Sequence, residues 1–292
     1  MIERIIEIAD TAALLSLENN LLKIKIPDKE VTNVPVAEIQ CLILANPALT
    51  ITGALLAALA SKNVIVVISG TNRMPSAMQI PLDANYIQNE RFRAQTAAAL
   101  PLNKRLWQTI IKEKIKNQGR LLKKLHGNDF NLLKLSEKVN SGDTENIEGR
   151  AAAIYWKNLF NSPFLRDREN NDNNLLLNYG YAILRAMTAR ACCGAGLHPT
   201  LGINHHNRYN SYCLADDLME PFRFVIDEKV AELNPDNNTV VELTKDFRKE
   251  LLNTLLEKIE TSQGYWQISD LLKKSAIQVA ESYQTGEMHL RY

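Results

Sequence analysis

The sequence predicts an α+β protein: a small N-terminal β-rich domain followed by a larger all-α domain. Three observations predict it. Short apolar and β-branched runs separated by turn residues fill the region up to Gly70. Helical periods of apolar residues dominate from Asn85 onward, and a stretch bearing Pro75 and Pro81 lies between the two regions. The expected boundaries are 1–73 for the β-rich domain, 74–84 for a linker and 85–292 for the helical domain.

In the first region, Ala12–Leu17 and Leu21–Ile26 read as strands joined by Glu18-Asn19-Asn20, a hairpin signal. Ile39–Leu44 is a third strand-like run, ended by Asn46-Pro47. Thr52–Ala60 reads as a helix capped by Thr50 or Thr52, followed by a β-branched strand at Val64–Ile68 and a stop at Ser69-Gly70. The helical region offers Gln88–Ala98, Lys104–Lys124, Asn131–Val139, Glu145–Phe160, Asn173–Cys192, Ala215–Leu233, Thr244–Glu260 and Ile268–Glu281. The polar run Arg166–Asn174 reads as an exposed loop.

Composition excludes several classes. The 292 residues are 46% hydrophobic and 23% charged, the balance of a globular protein that buries a core. No apolar run approaches membrane-spanning length, and the N-terminus lacks the pattern of a signal peptide. The four cysteines, Cys41, Cys192, Cys193 and Cys213, have no paired metal-ligand spacing and suit small buried residues in a reducing cytoplasm. Net charge is only +1, yet Lys104 to Lys124 holds eight basic residues against one acid, Glu113. Such a helix suits phosphate contacts or a plain solvated face.

The chemistry concentrates in Gly196–Arg223. His205 and His206 precede a group of acids, Asp216, Asp217 and Glu220. Imidazole and carboxylate together suit a metal site or acid/base work. On one helix, carboxylates three or four positions apart repel, so a positive partner is expected among them. Pro221 directly after Glu220 should kink that helix and free the Asp217 carbonyl. Upstream, Glu148 begins a helix with capping chemistry near Asp143-Thr144. Gly149 beside it costs about 1 kcal/mol relative to alanine, which suggests a close approach by a ligand or another chain. Tyr155 lies on the same helix face.

Three segments, EGRAAAIYW, NLLLNYGYAILRAMTARACCGAGLHPTLGINHH and SYCLADDLMEPFR, together with ITGALLAALASKNVIVVI, resemble the CRISPR-associated integrase of spacer acquisition, the Cas-one family. The wording ADDLMEPFR is most similar to the version in type II systems. The resemblance implies one divalent ion, Mg²⁺ or Mn²⁺, held in the helical domain by Glu148, His205 and Glu220, which would also be the catalytic set. Asp217, His206 and Tyr155 would stand behind these ligands; His206 and Asn204 depart from the family pattern and leave the choice of histidine open. With the family accepted, Lys112, Lys114, Lys116, Arg150, Arg190, Arg208 and Arg223 become candidates for binding double-stranded DNA, and Arg168 a further one.

The implied activity inserts DNA fragments into a CRISPR array by attack of a 3′-hydroxyl on repeat phosphodiesters, with endonuclease activity when water attacks. The implied partners are a second copy in a homodimer, a small Cas-two protein in a heterohexamer, and further type II adaptation proteins. Competing readings are a structure-specific nuclease acting on branched DNA in repair, a DNA-binding scaffold without catalysis, and a zinc hydrolase around His205 and His206. The last lacks an HExxH motif and a third nearby histidine.

Overall fold

The computed structural model describes residues 4–81, 83–237, 241–261 and 264–292. Position 82 of the expected linker, and positions 1–3, 238–240 and 262–263 of the expected domains, lie outside the described residues.

The N-terminal region runs β1 (Arg4–Ile8), β2 (Leu14–Glu18), β3 (Leu21–Lys25), β4 (Thr32–Pro35), β5 (Ile39–Leu44), β6 (Thr50–Ile51), α1 (Gly53–Ser61), β7 (Ile65–Ser69) and β8 (Pro75–Gln79). The strands form two four-stranded sheets, ordered β1-β5-β7-β8 and β4-β3-β2-β6. The expected hairpin joins β2 to β3, with Glu18 opposite Leu21. Its two turn residues, Asn19 and Asn20, both have positive φ (49° and 61°), the geometry a tight two-residue hairpin needs and asparagine tolerates. The side chain of Thr52 caps α1 by accepting from Leu55 N–H.

β5 is buried along its whole length. Leu42 and Leu44 face a core shared with Leu15, Leu22, Leu55 and Leu59. Cys41 and Ile43 face the main core of the helical region, joined by Ile65 and Val67 of β7. One sheet therefore serves two cores, which explains the unbroken apolar runs of its central strands.

The helical region contains α2 (Gln88–Thr96), α3 (Leu100–His126), α4 (Leu132–Ser136), α5 (Ile147–Leu159), α6 (Asn173–Gly194), α7 (Cys213–Met219), α8 (Phe224–Leu233), α9 (Lys245–Thr254), β9 (Lys258–Thr261), β10 (Gly264–Gln267) and α10 (Ile268–Thr285). Two expectations need correction. The region is not all-α, because β9 and β10 pair as an antiparallel hairpin where the pattern predicts a helix to Glu260. Alternating Ile259 and Thr261, then Tyr265 and Trp266, supply the β-propensity that ends α9 at Thr254. The expected linker also contributes a strand: β8 pairs antiparallel with β7 at the sheet edge, where Pro75 is tolerated at a strand start.

An ion pair between a buried guanidinium and a half-buried carboxylate ties the two regions together. Arg248 on α9 is fully buried and donates through Nε to both Glu7 oxygens on β1, at 2.9 and 3.0 Å. Tyr179 on α6 donates to the same carboxylate at 2.9 Å. All four cysteines are free and buried.

Candidate functional site

Glu148 sits in the first turn of α5 because of what caps that helix. Asp143 accepts the N–H groups of Ile147 and Glu148, both at 2.9 Å, and Asn146 accepts from Gly149 at 3.2 Å. A Cβ at position 149 would lie 2.7 Å from the Asn146 amide. Gly149 thus makes room for the capping side chain rather than for a ligand or another chain.

Pro221 breaks the second acidic segment as expected. α7 ends at Met219, a 3-10 turn spans Glu220–Phe222, and α8 begins at Phe224. The Asp217 carbonyl is not freed by this break, because the Glu220 N–H takes it. Asn117 on α3 donates to the Pro221 carbonyl at 2.9 Å and pins the turn to the longest helix.

Each of the three acids has a basic side chain as partner: a guanidinium, an imidazole, or a guanidinium with an ammonium. Asp216 receives both Nε and Nη2 of Arg185, at 2.6 and 2.8 Å. Asp217 is paired with His205 through its Oδ1. Its Oδ2 accepts the backbone N–H groups of Ile203, Asn204 and His205 at 2.6, 2.9 and 3.4 Å. Glu220 lies between Arg223, at 2.9 Å, and Lys114, at 2.8 Å. Lys114 also reaches Glu148, at 2.6 Å, so one ammonium gathers the carboxylates of α5 and of the 3-10 turn.

The loop carrying His205 closes over Asp217 because position 202 is glycine. A Cβ there would lie 2.3 Å from the His205 carbonyl oxygen and 3.0 Å from Asp217 Oδ2. The imidazole also packs edge-on against Trp107 of α3, with ring centroids 5.4 Å apart. A carboxylate only accepts, so His205 Nδ1 carries the proton and Nε2 is left as the basic nitrogen. The Asp217 hydrogen bond raises the His205 pKa, and the charges of Glu220 and Glu148 act on it in the same direction. Burial pushes Asp217 up. Burial also opposes the charges on Glu220 and Lys114, but their ion pairs outweigh it: Glu220 falls below, and Lys114 rises above, the ordinary range.

The structure therefore joins Glu148 to Glu220 through Lys114 and His205 to Asp217, with the charges of both glutamates acting on the imidazole; among the described residues no three of these side chains are placed to hold one ion. His206, next to His205, is exposed. Tyr155 is fully buried and donates to Asp227 at 2.7 Å. Tyr181 donates to the other Asp227 oxygen. Burial pushes Asp227 up to about 6, although the tyrosine hydrogen bonds and the guanidinium groups of Arg223 and Arg166 pull it down. Asp227 lines a cavity of about 170 Å³ beside Glu220, together with Lys114, Arg166, Arg168 and Arg223.

The expected DNA-binding residues divide. Arg150 and Arg208 are exposed, Arg208 over the Tyr209 ring, and Lys112 and Lys116 are half-buried on α3. Arg190 turns toward the N-terminal region, where its Nε donates to the Asn63 carbonyl at 2.5 Å. Lys114 is not on a solvated face. Its side chain is only 12% exposed, and it is spent on the two glutamates. Its register is the signal that sequence reasoning missed, since Lys114 follows buried Ile110 and precedes buried Gln118 by one turn each. Arg166 is a further cavity residue, in the run that reads from sequence as an exposed loop; Asn174 and Asn178 fix its guanidinium at 2.6 and 2.7 Å.

The sequence profile of the family described as "CRISPR associated protein Cas1" matches residues 6–263. A CRISPR-associated endonuclease Cas1 from Neisseria meningitidis is 34% identical over 275 residues, covering 93% of this chain and 88% of that protein. Among solved structures, a casposase bound to integration product superposes with a TM-score of 0.77 at 20% identity, over 98% of this chain and 92% of that one. A chain of a Cas6-RT-Cas1–Cas2 complex superposes with a TM-score of 0.75 at 19% identity, over 98% of this chain and 35% of that one. At these identities the two structures speak for the fold alone.

Proposed function

The chain belongs to the CRISPR-associated Cas1 family, and on that premise we propose that it is a metal-dependent DNA integrase and endonuclease of spacer acquisition. The observation that carries this reading is the convergence of Glu148 and Glu220 on a single cation beside an imidazole already oriented by a buried acid. Two carboxylates and one neutral imidazole form a donor set whose chemistry suits Mg²⁺ or Mn²⁺. A divalent ion bound there would draw charge from a phosphodiester oxygen and from the departing 3′ oxygen.

The side chains divide the remaining work. Glu148 and Glu220 offer oxygen donors from two different elements. His205 offers Nε2, and Asp217 holds the ring and its tautomer. In integration, the 3′-hydroxyl oxygen of the incoming DNA bonds to a repeat phosphorus as the bond from that phosphorus to the repeat 3′ oxygen breaks. The number of phosphodiester bonds is unchanged, so no nucleotide cofactor is needed. Arg166, Arg168 and Arg223 beside Glu220, with Arg150 and Arg208 on the surface, suit phosphate contacts and salt-sensitive binding. The Cas1–Cas2 composition of a similar structure supports a small Cas2 partner. The homodimer and the type II partners belong to the same proposal.

The test is an integration assay with the purified Cas2 partner, a labelled duplex with a free 3′-hydroxyl and a supercoiled plasmid carrying the repeat. Wild type should join the label in Mn²⁺ or Mg²⁺, and His205→Ala should not. Cleavage without joining would favour the branched-DNA nuclease instead.

A further inference from the structure

The two acids assigned to a metal hold an ammonium. Lys114 Nζ lies 2.6 Å from Glu148 Oε1 and 2.8 Å from Glu220 Oε2, and Arg223 takes the other Glu220 oxygen at 2.9 Å. Both oxygens of Glu220 lie within ion-pair distance of protein cations, although Oε2 receives no well-directed hydrogen bond. Among the described residues no group of three or more His, Cys, Asp or Glu side chains is placed to hold an ion. The donors are gathered around the lysine rather than arranged for ligation. Lys114 is also firmly delivered, since Ile110, Ile111, Ile115 and Gln118 around it on α3 are buried.

We propose that Lys114 is a built-in counter-ion which a divalent metal must displace, and that a DNA phosphate receives the displaced ammonium. This rests on the reading of the site as a divalent-metal centre. Glu220 is buried and Glu148 half-buried, so their adjoining charges need compensation, and the ammonium supplies it before metal arrives. An incoming dication competes with it for the same oxygens. The displaced ammonium faces the adjoining cavity, which Arg166, Arg168 and Arg223 already line. Lys114 already lines that cavity with Glu220 and Asp227; once a metal takes Glu220, four cations face Asp227 there, an excess that an entering anion relieves. A DNA phosphate is such an anion, so DNA and metal should each raise the affinity for the other, as linkage requires. Metal would then load chiefly when DNA is in place.

The experiment titrates Mn²⁺ into the full chain, read by the paramagnetic resonance of free ion, with and without a short duplex. Wild type should bind Mn²⁺ about tenfold or more tightly with DNA than without, the usual scale of coupling between two ligands. Lys114→Met should bind Mn²⁺ about tenfold tighter than wild type without DNA, and its gain from DNA should shrink toward one. Lys114→Arg, which keeps the charge, should behave like wild type. Melting curves check folding: the methionine variant should melt lower without metal and recover when Mn²⁺ is added. Wild type with no gain from DNA overturns the proposal without reference to any variant. So does a folded Lys114→Met that binds no tighter than wild type, or that keeps the whole gain from DNA. Glu148→Gln and Glu220→Gln separate the two readings. Unchanged Mn²⁺ binding in both would sink the metal centre itself, whereas its loss beside an unaltered Lys114→Met sinks only the counter-ion.

Discussion

Asp217→Asn tests how the site prepares its imidazole. The fully buried carboxylate has two tasks: Oδ2 accepts three backbone N–H groups of residues 203–205, and Oδ1 accepts the His205 Nδ1 proton. Asparagine has one oxygen. If that oxygen keeps the three N–H groups, its NH₂ must face Nδ1, which then has to accept. The imidazole proton moves to Nε2, and the nitrogen offered to a metal is lost. Stability should fall by about 1–3 kcal/mol, the scale of weakening hydrogen bonds to a charged acceptor, so the variant stays folded. Metal affinity should fall by about 10- to 100-fold, the usual loss when the partner orienting a ligating histidine is removed. Mn²⁺ titration measures the affinity, and the ¹⁵N shifts of His205 report the tautomer. Wild-type affinity with the proton on Nε2 would refute the reasoning, because the proposed donor nitrogen would then be dispensable.

Arg248→Met leaves the half-buried Glu7 without its guanidinium, so denaturant unfolding should show a loss of up to about 3 kcal/mol, the low end of the range for a buried pair; the double variant with Glu7→Leu should recover part of that loss. An additive double variant would show that the pair does not couple the two regions. The Asp227 pKa is raised from 3.8 to about 6 in the folded chain, so the native state binds more protons between those values and loses stability as pH rises through them. The stability of Asp227→Asn relative to wild type should therefore grow between pH 4 and 7. The growth should total roughly 3 kcal/mol, since each tenfold change in proton affinity is worth about 1.4 kcal/mol, and a flat difference would contradict this. Gly202→Ala puts a Cβ 2.3 Å from a backbone oxygen that cannot swing aside. It should lift the His205 loop off Asp217 and weaken Mn²⁺ binding by about tenfold or more while α3 and α6 stay folded by circular dichroism.

Much of this molecule is written locally. The asparagine pair of the first hairpin, the Thr52 cap and the unbroken apolar run of β5 each name their element without tertiary information. β1, β4, β8 and the β9–β10 hairpin are less legible. Thr32–Pro35 and Pro75–Gln79 carry a proline at a strand end, and their strand state depends on a neighbour at the sheet edge. The motif residues Glu148, His205 and Glu220 point to one place; the fold joins the two glutamates through Lys114 and pairs His205 with Asp217. Lys114 reads as one charge in a basic run, although its register lies within the apolar stripe of α3. The Arg248–Glu7 pair joins positions 241 residues apart and leaves no local trace. A side chain whose partner lies on a distant element takes its meaning from the fold.

The central claim is that Glu148, His205 and Glu220 make one divalent-metal site. Pulsed electron paramagnetic resonance of Mn²⁺ bound to the DNA complex, with histidine labelled by ¹⁵N, tests it most directly. The claim predicts coupling to a single imidazole nitrogen, lost in His205→Ala and kept in His206→Ala. It also predicts that Glu148→Gln or Glu220→Gln releases the ion. Coupling that survives in His205→Ala and vanishes in His206→Ala, or Mn²⁺ held without either glutamate, would contradict it.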